Sequence, residues 1–323
     1  MEFSTHQEIG DRSTQQDRLC TRVLETQNGP VFLAAAFDGH SGTEAAAYAA
    51  EFLPKGLEDR FGQADTQEPL ESALDAVIQQ VVHDLRHEFS GTTISAALID
   101  ERHEQVAIAV LGDSSIVVFS DTKAAPFVTP QHNVCLCESD VRTIQGRIDH
   151  QPEHILDGYP SIGGGYIWAD RHYGRGINLT RTAGDDAFNG LILHAPFVAT
   201  QPFGLGDLLL LGSDGVRFDD EPASTPTDRV WTRCDEAATI VRQSGGAYDV
   251  ALLAQLAGRA EGHHLDNITV IIVLGREAVG VSTKYSMMAN TPTVLRIREC
   301  RFFQRRTIGS KHSSIRFFLA DKF

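Results

Sequence analysis

The sequence is poor in several features that would assign it to other classes of protein. Its 323 residues contain only five cysteines, and these are scattered at Cys20, Cys135, Cys137, Cys234 and Cys300. An odd, dispersed set argues against a disulfide framework, and a single residue between Cys135 and Cys137 is not the spacing of a zinc knuckle. We therefore expect a reduced, cytoplasmic protein.

Long hydrophobic runs are also missing. Apolar runs such as Leu208–Leu211 and Val270–Leu274 are far shorter than the roughly 20 residues that cross a bilayer. Residues 1–13 have neither a basic start nor an apolar stretch, so we expect no signal peptide. With 42% hydrophobic and 22% charged residues, the composition is typical of a globular protein large enough to bury a full core.

Positive charge is scarce in most of the chain and concentrated at its end. Of the 28 Lys/Arg and 43 Asp/Glu residues, 10 and 3 lie in 276–323, which leaves 18 and 40 in 1–275. Such an acidic body argues against nucleic acid as a partner and could concentrate divalent cations. The basic, Phe- and Arg-rich segment 276–323 could dock on the acidic body, on a partner or on an anionic membrane, or be partly disordered.

One stretch, residues 31–53, combines a strand, a polar turn and a helix. Val31–Phe37 is an apolar run typical of a strand buried on both faces, and the Ala-rich Glu44–Leu53 predicts a helix. Between them, an aspartate, a glycine whose carbonyl could approach an ion, and a histidine indicate a cation site beside an acid/base group. For this motif alone, a turn with a capping aspartate and a solvated histidine is the alternative.

The rest of the chain reads as hairpin-connected strands interleaved with helices. Residues 1–30 look like a polar lead before a hairpin at Asn28-Gly29, and residues 121–190 look like an irregular surface excursion that could lie over a site. The further predicted elements are strands at Arg22–Leu24, Gly91–Ile99, Gln105–Leu111, Ile116–Ser120, Gly206–Gly212 and Thr269–Leu274, and helices at Leu70–Phe89 and within Asp235–Glu261. This order favours antiparallel sheets with helices outside them over a doubly wound parallel sheet.

Three aspartates follow or precede apolar strands, namely Asp38, Asp214 and Asp266, and Asp113 lies in a tight turn. Carboxylates that converge on one rim repel each other unless cations compensate. Oxygen donors without clustered Cys or His indicate Mg²⁺ or Mn²⁺ rather than zinc. Two such ions can share a carboxylate and hold a deprotonated water, the nucleophile of many phosphate-ester hydrolases.

Seven ordered segments make residues 8–275 resemble the metal-dependent Ser/Thr protein phosphatases of type 2C. The segments are Arg12 with Gln16-Asp17-Arg18, Asp38-Gly39-His40-Ser41-Gly42, Gly91-Thr92-Thr93, Gly112-Asp113-Ser114, Leu179–Asp185, Gly212-Ser213-Asp214-Gly215 and Asp266-Asn267-Ile268-Thr269-Val270. The resemblance implies a sandwich of two antiparallel β-sheets flanked by layers of α-helices. It also implies a catalytic domain over 1–275, with 276–323 as an extension beyond it.

The resemblance implies two Mn²⁺ or Mg²⁺ ions and a ligand set for them. Asp38 would bridge both ions, the carbonyl of Gly39 would bind the second, and Asp214 and Asp266 would complete the first. A third ion would use Asp113 and an aspartate four residues after Asp214. This chain has Phe218 at the latter position, so a third ion is left open.

Three further residues receive roles from the same resemblance. Arg12 would bind the substrate phosphate, for which a bidentate guanidinium is well suited. Asp17 would orient a metal-bound water, and His40 would be the general acid that protonates the leaving oxygen. Gln16 replaces an acidic residue that is common in the family, so the second ion would depend more on water ligands. Ser41 replaces a common glycine, a change that we expect to be tolerated.

The implied activity is hydrolysis of phosphoserine and phosphothreonine in proteins by attack of a metal-bridging water. Partners would then be phosphorylated proteins, with an opposing Ser/Thr kinase and its substrates among them, and we expect a monomer. The alternative is a catalytically inactive phosphatase-fold module that binds a phosphorylated partner. Because Arg12 and the three aspartates that would bind metal are all present, the active enzyme is favoured.

Overall fold

Two five-stranded antiparallel sheets face each other at the centre of the fold. The computed structural model describes residues 1–63, 68–120, 123, 126–150, 160–170, 175–216, 239, 241, 246–261 and 264–275. The described strands are β1 (Glu2–Glu8), β2 (Arg18–Thr26), β3 (Gly29–Phe37), β4 (Gly39–His40), β5 (Gly91–Thr92), β6 (Ile94–Asp100), β7 (Gln105–Leu111), β8 (Ser115–Phe119), β9 (Phe127–Val128), β10 (Ser161–Gly163), β11 (Tyr166–Asp170), β12 (Arg175–Ile177), β13 (Ala183–Gly184), β14 (Phe197–Pro202), β15 (Leu208–Gly212) and β16 (Ile268–Leu274).

The first large sheet has the order β1-β16-β15-β8-β9, and the second has the order β14-β7-β6-β3-β2. Two three-stranded sheets, β4-β5-β13 and β10-β11-β12, complete the set that the structure describes. The described helices are α1 (Glu44–Gln63), α2 (Leu70–Asp84), α3 (Glu138–Asp149) and α4 (Ala247–Glu261). Short 3₁₀ turns lie at Asp186–Phe188 and Asp214–Val216.

The alternation of side chains along β3 explains the layers. Phe32, Ala34 and Ala36 face a core between the two large sheets, which also contains Leu211 and Ile271. The intervening residues of β3 face α1 and α2 in a second core. A third core lies between the other large sheet and α4. Because a strand buried on both faces needs apolar residues at every position, the continuous run Val31–Phe37 is required, and the predicted helix-sheet-sheet-helix sandwich is confirmed.

Helix α1 is longer than its sequence pattern predicted. The Ala-rich pattern predicted an end at Leu53, and the next residue, Pro54, lacks the N–H that the interior of a helix needs. The helix instead continues to Gln63. Leu53, Leu57 and Phe61 continue the spacing of one helix face and are buried in the core shared with α2. Tertiary packing therefore outweighs the lost hydrogen bond, and the predicted end was wrong.

Helix α2 buries one face and ends earlier than expected. The residues spaced by three and four, Ala73, Leu74, Val77, Ile78 and Val81, are all buried. The helix stops at Asp84 rather than at Phe89, since a turn follows in which the N–H of Arg86 is bonded to His83.

Two regions that we expected to be irregular are ordered. Residues 2–8 are not a polar lead but edge strand β1, paired with β16 from Glu2↔Leu274 to Glu8↔Ile268. Within 121–190, the described part contains α3 and the sheet β10-β11-β12, which share a small apolar core. Strand β14 also escaped prediction; it pairs with β7 at the edge of its sheet. Short or polar edge strands carry weak periodicity, which explains these errors.

Some predictions fall outside the described residues. These are the extension 276–323, the position of Phe218 and the first part of the helical region 235–261. The division into a domain at 1–275 and an extension at 276–323 stays a prediction. Over the described stretches, the structure contains no helix that is both long and apolar enough to cross a membrane.

Candidate functional site

The loops that carry Asp38 and Asp214 meet where the two large sheets come together. Asp38 follows β3 directly, and its backbone is held by Thr93, whose N–H bonds to the Asp38 carbonyl at 2.9 Å and whose Oγ1 accepts the Asp38 N–H at 3.1 Å. The backbone N–H of Asp214, just past β15, points to Oδ2 of Asp38 at 3.4 Å. One contact thus joins residues 176 apart in sequence.

Asp38 lies at the centre of a group of carboxylates. It is partly exposed to solvent by surface area, yet burial of its carboxyl raises its pKa well above the ordinary value. The negative charges of Asp214, Asp17 and Asp113 raise that pKa further. An arrangement that disfavours the ionised form of a carboxylate is one that a cation would relieve.

Asp17 adds a second buried carboxylate. Its side chain is 1% exposed, and Oδ2 accepts a hydrogen bond from Oγ1 of Thr269 at 2.8 Å. Burial raises the pKa of Asp17 to about 6, against hydrogen bonds from Thr269 and Ser213 that lower it. Oδ1 has no hydrogen-bond partner among the described residues. A buried acceptor without a partner is costly, and a cation or an ordered water at this position would satisfy it.

Arg12 extends over the same group. Its Nη2 donates to Oδ2 of Asp266 at 2.5 Å, and about half of each side chain is exposed. The pKa of Arg12 is raised first by this hydrogen bond and also by the charges of Asp214 and Asp38. The single cationic side chain predicted to bind phosphate therefore lies beside all three aspartates predicted to bind metal.

Asn267 fixes the loop that carries Asp266. Its Oδ1 accepts the N–H of Gln16 at 2.8 Å, and its Nδ2 donates to the carbonyls of Ile9 and Thr14 at 2.9 and 3.1 Å. These bonds attach the segment that precedes β2 to the start of β16. Asn267 therefore orients the loop that carries Asp266.

Gly39 and Ser41 occupy special positions in the turn after Asp38. A Cβ at Gly39 would lie 2.5 Å from the carbonyl oxygen of Gln16, so only glycine lets the two backbones come this close. Ser41 has φ of 60°, a left-handed conformation that costs a side-chain-bearing residue some energy. A glycine at that position would be free of this cost.

Asp113 is close enough to raise the pKa of Asp38 but is held by another group. Its Oδ2 accepts a hydrogen bond from Nδ2 of Asn133 at 3.0 Å, and its side chain is buried. The second ligand position predicted for a third ion, Phe218, lies outside the described residues. The structure therefore does not assemble a third-ion site from its described part.

The donor atoms around Asp38 are of the kind that divalent cations prefer, but they are not arranged as a complete ligand set. Carboxylate and carbonyl oxygens are the donors that Mg²⁺ and Mn²⁺ prefer, and the raised pKa of Asp38 and the unpartnered Oδ1 of Asp17 both call for positive charge. Within the described residues, no three His, Cys, Asp or Glu side chains are already close enough together to hold an ion. Asp266 is paired with Arg12 instead.

His40 has a partner that sequence reasoning missed. Its Nε2 lies 3.0 and 2.8 Å from Oδ1 and Oδ2 of Asp185. Asp185 belongs to the segment Leu179–Asp185 that supported the resemblance, but we assigned it no function. The available signal was a Gly-Asp pair in that segment, and the pairing itself depends on strand register that the sequence does not reveal.

Comparison with known proteins agrees with the sequence and the fold. The sequence model of the family described as Protein phosphatase 2C matches residues 3–217. Probable protein phosphatase 2C 11 of Arabidopsis thaliana is 25% identical over 276 residues, which is 82% of this chain and 64% of the relative. The chain thus spans less than two thirds of the length of this curated relative, and 66% of a second one from the same plant.

Solved structures share the fold. The serine-threonine phosphatase 2C from Toxoplasma gondii superposes with a TM-score of 0.63 at 15% identity, covering 84% of this chain and 93% of that one. The serine/threonine phosphatase of S. agalactiae superposes with a TM-score of 0.54 at 22% identity, covering 85% and 99%. Identities this low establish the architecture alone.

Proposed function

The chain belongs to the protein phosphatase 2C family, and from that premise we propose that it is an active, metal-dependent protein phosphatase that hydrolyses phosphoserine and phosphothreonine. The observation that supports this most is the group of carboxylates around Asp38. Burial and the charges of Asp214, Asp17 and Asp113 raise the pKa of Asp38, and a bound cation would relieve the repulsion among these carboxylates.

Two Mg²⁺ or Mn²⁺ ions would be held by the carboxylates of Asp38, Asp214 and Asp266 and by the carbonyl of Gly39. When bound, the ions would supply a water of lowered pKa as the nucleophile. Asp17, buried beneath this group with Oδ1 unpartnered among the described residues, would accept a hydrogen bond from water at the site. Asp113 would act as a buried acceptor from Asn133 rather than as an essential ligand.

Arg12 would bind the phosphoryl group of the substrate. Its guanidinium is half exposed at the mouth of the site and already contacts a carboxylate through Nη2, so it can exchange that partner for phosphate oxygens of the same geometry. His40, 27% exposed, would give a proton to the serine or threonine oxygen as the P–O bond breaks. Both side chains reach solvent, as groups that meet a protein substrate must.

The substrates would be phosphorylated proteins, and the partner would be whichever Ser/Thr kinase phosphorylates them. A substrate loop carrying two negative charges on its phosphate would have to approach an acidic body. Bound cations and Arg12 would therefore be needed for recognition as well as for chemistry.

The test is hydrolysis of a phosphothreonine peptide and of p-nitrophenyl phosphate by the full chain with Mn²⁺, with Mg²⁺ and with excess EDTA. We expect turnover with either metal, none with EDTA, and loss of at least a thousandfold in Asp38→Asn. Asp59→Asn, an exposed carboxylate on α1, is the matched control and should keep full activity.

A folded, metal-loaded protein that binds the phosphothreonine peptide without hydrolysing it would overturn the proposal and favour the inactive binding module. Retained turnover in Asp38→Asn would overturn the assignment of the metal ligands while leaving the enzyme in place.

A further inference from the structure

We propose that Asp185 is a positioning residue for His40, holding the imidazole by its Nε2 so that Nδ1 is directed to the leaving oxygen of the substrate. This inference rests on the proposed phosphatase function, in which His40 is the proton donor. Asp185 would touch neither substrate nor metal and would act only through His40.

The contact between His40 and Asp185 is close, and only the Asp185 side chain is buried. Both oxygens of Asp185 lie within 3.0 Å of Nε2 of His40, and the Asp185 side chain is 5% exposed while that of His40 is 27% exposed. Oδ2 also accepts a hydrogen bond from Oγ1 of Thr182. Because Thr182 fixes the buried carboxylate, Asp185 can anchor the partly exposed imidazole of His40, whose other nitrogen remains for chemistry.

A small sheet brings the two residues together. His40 in β4 pairs with Gly91 in β5, and Gly91 pairs with Gly184 in β13. Asp185 is the next residue, and its N–H bonds to the carbonyl of Ser90 at 3.2 Å. A register shift of one residue in either pairing would turn the side chains away from each other.

Gly91 lies directly under the contact. A Cβ at this position would collide with Oδ2 of Asp185 and with Nε2 of His40. Since the φ of Gly91 is not among the left-handed ones, the backbone itself would accept alanine. What requires glycine here is the space that the His40–Asp185 contact occupies.

Asp185 also adopts an unfavourable backbone conformation. Its φ and ψ are 59° and 56°, the left-handed region that non-glycine residues rarely enter. A conformation of this kind is strained and persists where the surrounding structure demands it. Glycine would fit this position better, yet the chain has a carboxylate, which points to a use for the side chain.

The reaction assigns a role to each atom. The attacking water gives one proton to solvent, and its oxygen forms the new bond to phosphorus. The P–O bond to the serine or threonine breaks, and its electron pair stays on the leaving oxygen. That oxygen takes the proton from Nδ1 of His40, and the imidazole regains a proton from solvent. Asp185 keeps its hydrogen bond to Nε2–H throughout and exchanges no proton.

Leaving-group dependence separates positioning from a merely structural role. p-Nitrophenolate leaves readily without a proton, whereas phenolate and a threonine alkoxide need one. In Asp185→Asn with Mn²⁺, we expect kcat to fall ten- to a hundredfold on phenyl phosphate and on a phosphothreonine peptide, and less than threefold on p-nitrophenyl phosphate. KM should be unchanged for all three.

Asp186→Asn is the matched control, since Asp186 is the adjacent, exposed carboxylate; all its rates should equal those of the wild type. In double variants that also carry His40→Asn, Asp185→Asn or Asp185→Ala should lower kcat less than twofold below that of His40→Asn alone. The reason is that Asp185 acts only through His40. Gly91→Ala, with circular dichroism as the check on folding, should reproduce the selective loss.

Equal losses on all three substrates, or additive losses in the double variants, would overturn the inference and make Asp185 a structural residue. Unchanged rates in both Asp185→Asn and Asp185→Ala would overturn it as well. A wild-type chain without any turnover would instead be the failure of the proposed function, so the two failures are distinguishable.

Discussion

Nη2 of Arg12 lies 2.5 Å from Oδ2 of Asp266, a contact between residues 254 apart in sequence. The guanidinium of Arg12, which we expect to bind phosphate, thus neutralises the carboxylate of Asp266, which we expect to bind metal. The same oxygen of Asp266 cannot bind Arg12 and a metal ion at full strength at once. A metal ion bound to Asp266 would weaken this ion pair, and the freed Arg12 would then be available to a substrate phosphate.

Removing Arg12 should therefore strengthen metal binding while it weakens phosphate binding. The pair is half exposed on both sides, and exposed pairs contribute about 0.2–1 kcal/mol. We expect Arg12→Ala to lower the Kd of Mn²⁺ about two- to fivefold in isothermal titration calorimetry, and inorganic phosphate to bind at least tenfold more weakly.

Arg259→Ala is the control, because Arg259 forms an exposed ion pair with Asp11 at 3.3 Å and does not touch Asp266. Its Kd for Mn²⁺ should match that of the wild type. Weaker Mn²⁺ binding in Arg12→Ala would mean that Arg12 supports the metal site rather than competing for it.

Asp38 should destabilise the metal-free chain. Burial and the nearby Asp214 and Asp17 raise its pKa, which means that its charge costs free energy in the folded state. In EDTA, Asp38→Asn should raise the free energy of unfolding by roughly 1–2 kcal/mol. Each kcal/mol should raise the melting temperature by about 2–4 °C. Differential scanning calorimetry measures both.

With saturating Mn²⁺ the order should reverse, since the wild type gains stability from the bound ions and the variant does not. Asp59→Asn should leave the melting temperature unchanged in both conditions. A lower melting temperature of Asp38→Asn in EDTA would show that the carboxylate is stabilised by groups other than a metal ion.

Much of this fold was predictable because its pattern is local. The apolar run Val31–Phe37 and the three-four spacing of Leu70–Leu85 identify a doubly buried strand and a packed helix without reference to the rest of the chain. The segment motifs likewise located the aspartates. The continuation of α1 past Pro54 was not predictable, because it depends on packing against α2.

The parts of the site that the sequence could not reveal are all contacts. Asp185 reaches His40 only through the register of a three-stranded sheet. The pairing of Arg12 with Asp266 depends on a side chain that crosses from the segment before β2 to the loop before β16. Motifs indicate which residues gather at a site, and only the structure shows which of them face each other.

Breaking the pair of Arg181 and Asp140 should destabilise the fold beside the site. Nε and Nη2 of Arg181 donate to the two oxygens of Asp140 at 2.7 and 2.8 Å, and the Asp140 side chain is 4% exposed. The bidentate pair joins α3 to the segment that leads to Asp185. Breaking a buried pair leaves an uncompensated charge, so Asp140→Asn should lose about 2–4 kcal/mol in urea unfolding.

Glu138→Gln is the control for that experiment. Glu138 is on the same helix and pairs with Arg142, but both side chains are largely exposed. It should change stability by less than about 0.5 kcal/mol. Equal effects of the two variants would mean that the Arg181–Asp140 pair is no stronger than a surface pair.

His132 should make the fold sensitive to mild acid. Its side chain is 1% exposed, and its Nδ1 accepts the N–H of Gly112 at 3.2 Å. Burial, followed by the charge of Arg181, lowers its pKa from 6.5 to about 4, although the charge of Asp140 acts in the opposite direction. His132 is therefore neutral in the folded protein at pH values where the unfolded chain is already protonated.

The sign of the pH dependence follows from that difference. Above about pH 6.5 both states are neutral and the full stability is present. Between about pH 6.5 and 4 only the unfolded state takes up the proton, so stability falls with falling pH, by about 2 kcal/mol at pH 5.

His132→Asn, whose Oδ1 can accept the Gly112 N–H, removes the titration. In urea unfolding, the wild type should lose about 2 kcal/mol more than this variant between about pH 7 and 5. His87→Asn, at an exposed position, should follow the wild type, and parallel pH profiles for wild type and His132→Asn would refute a neutral buried His132.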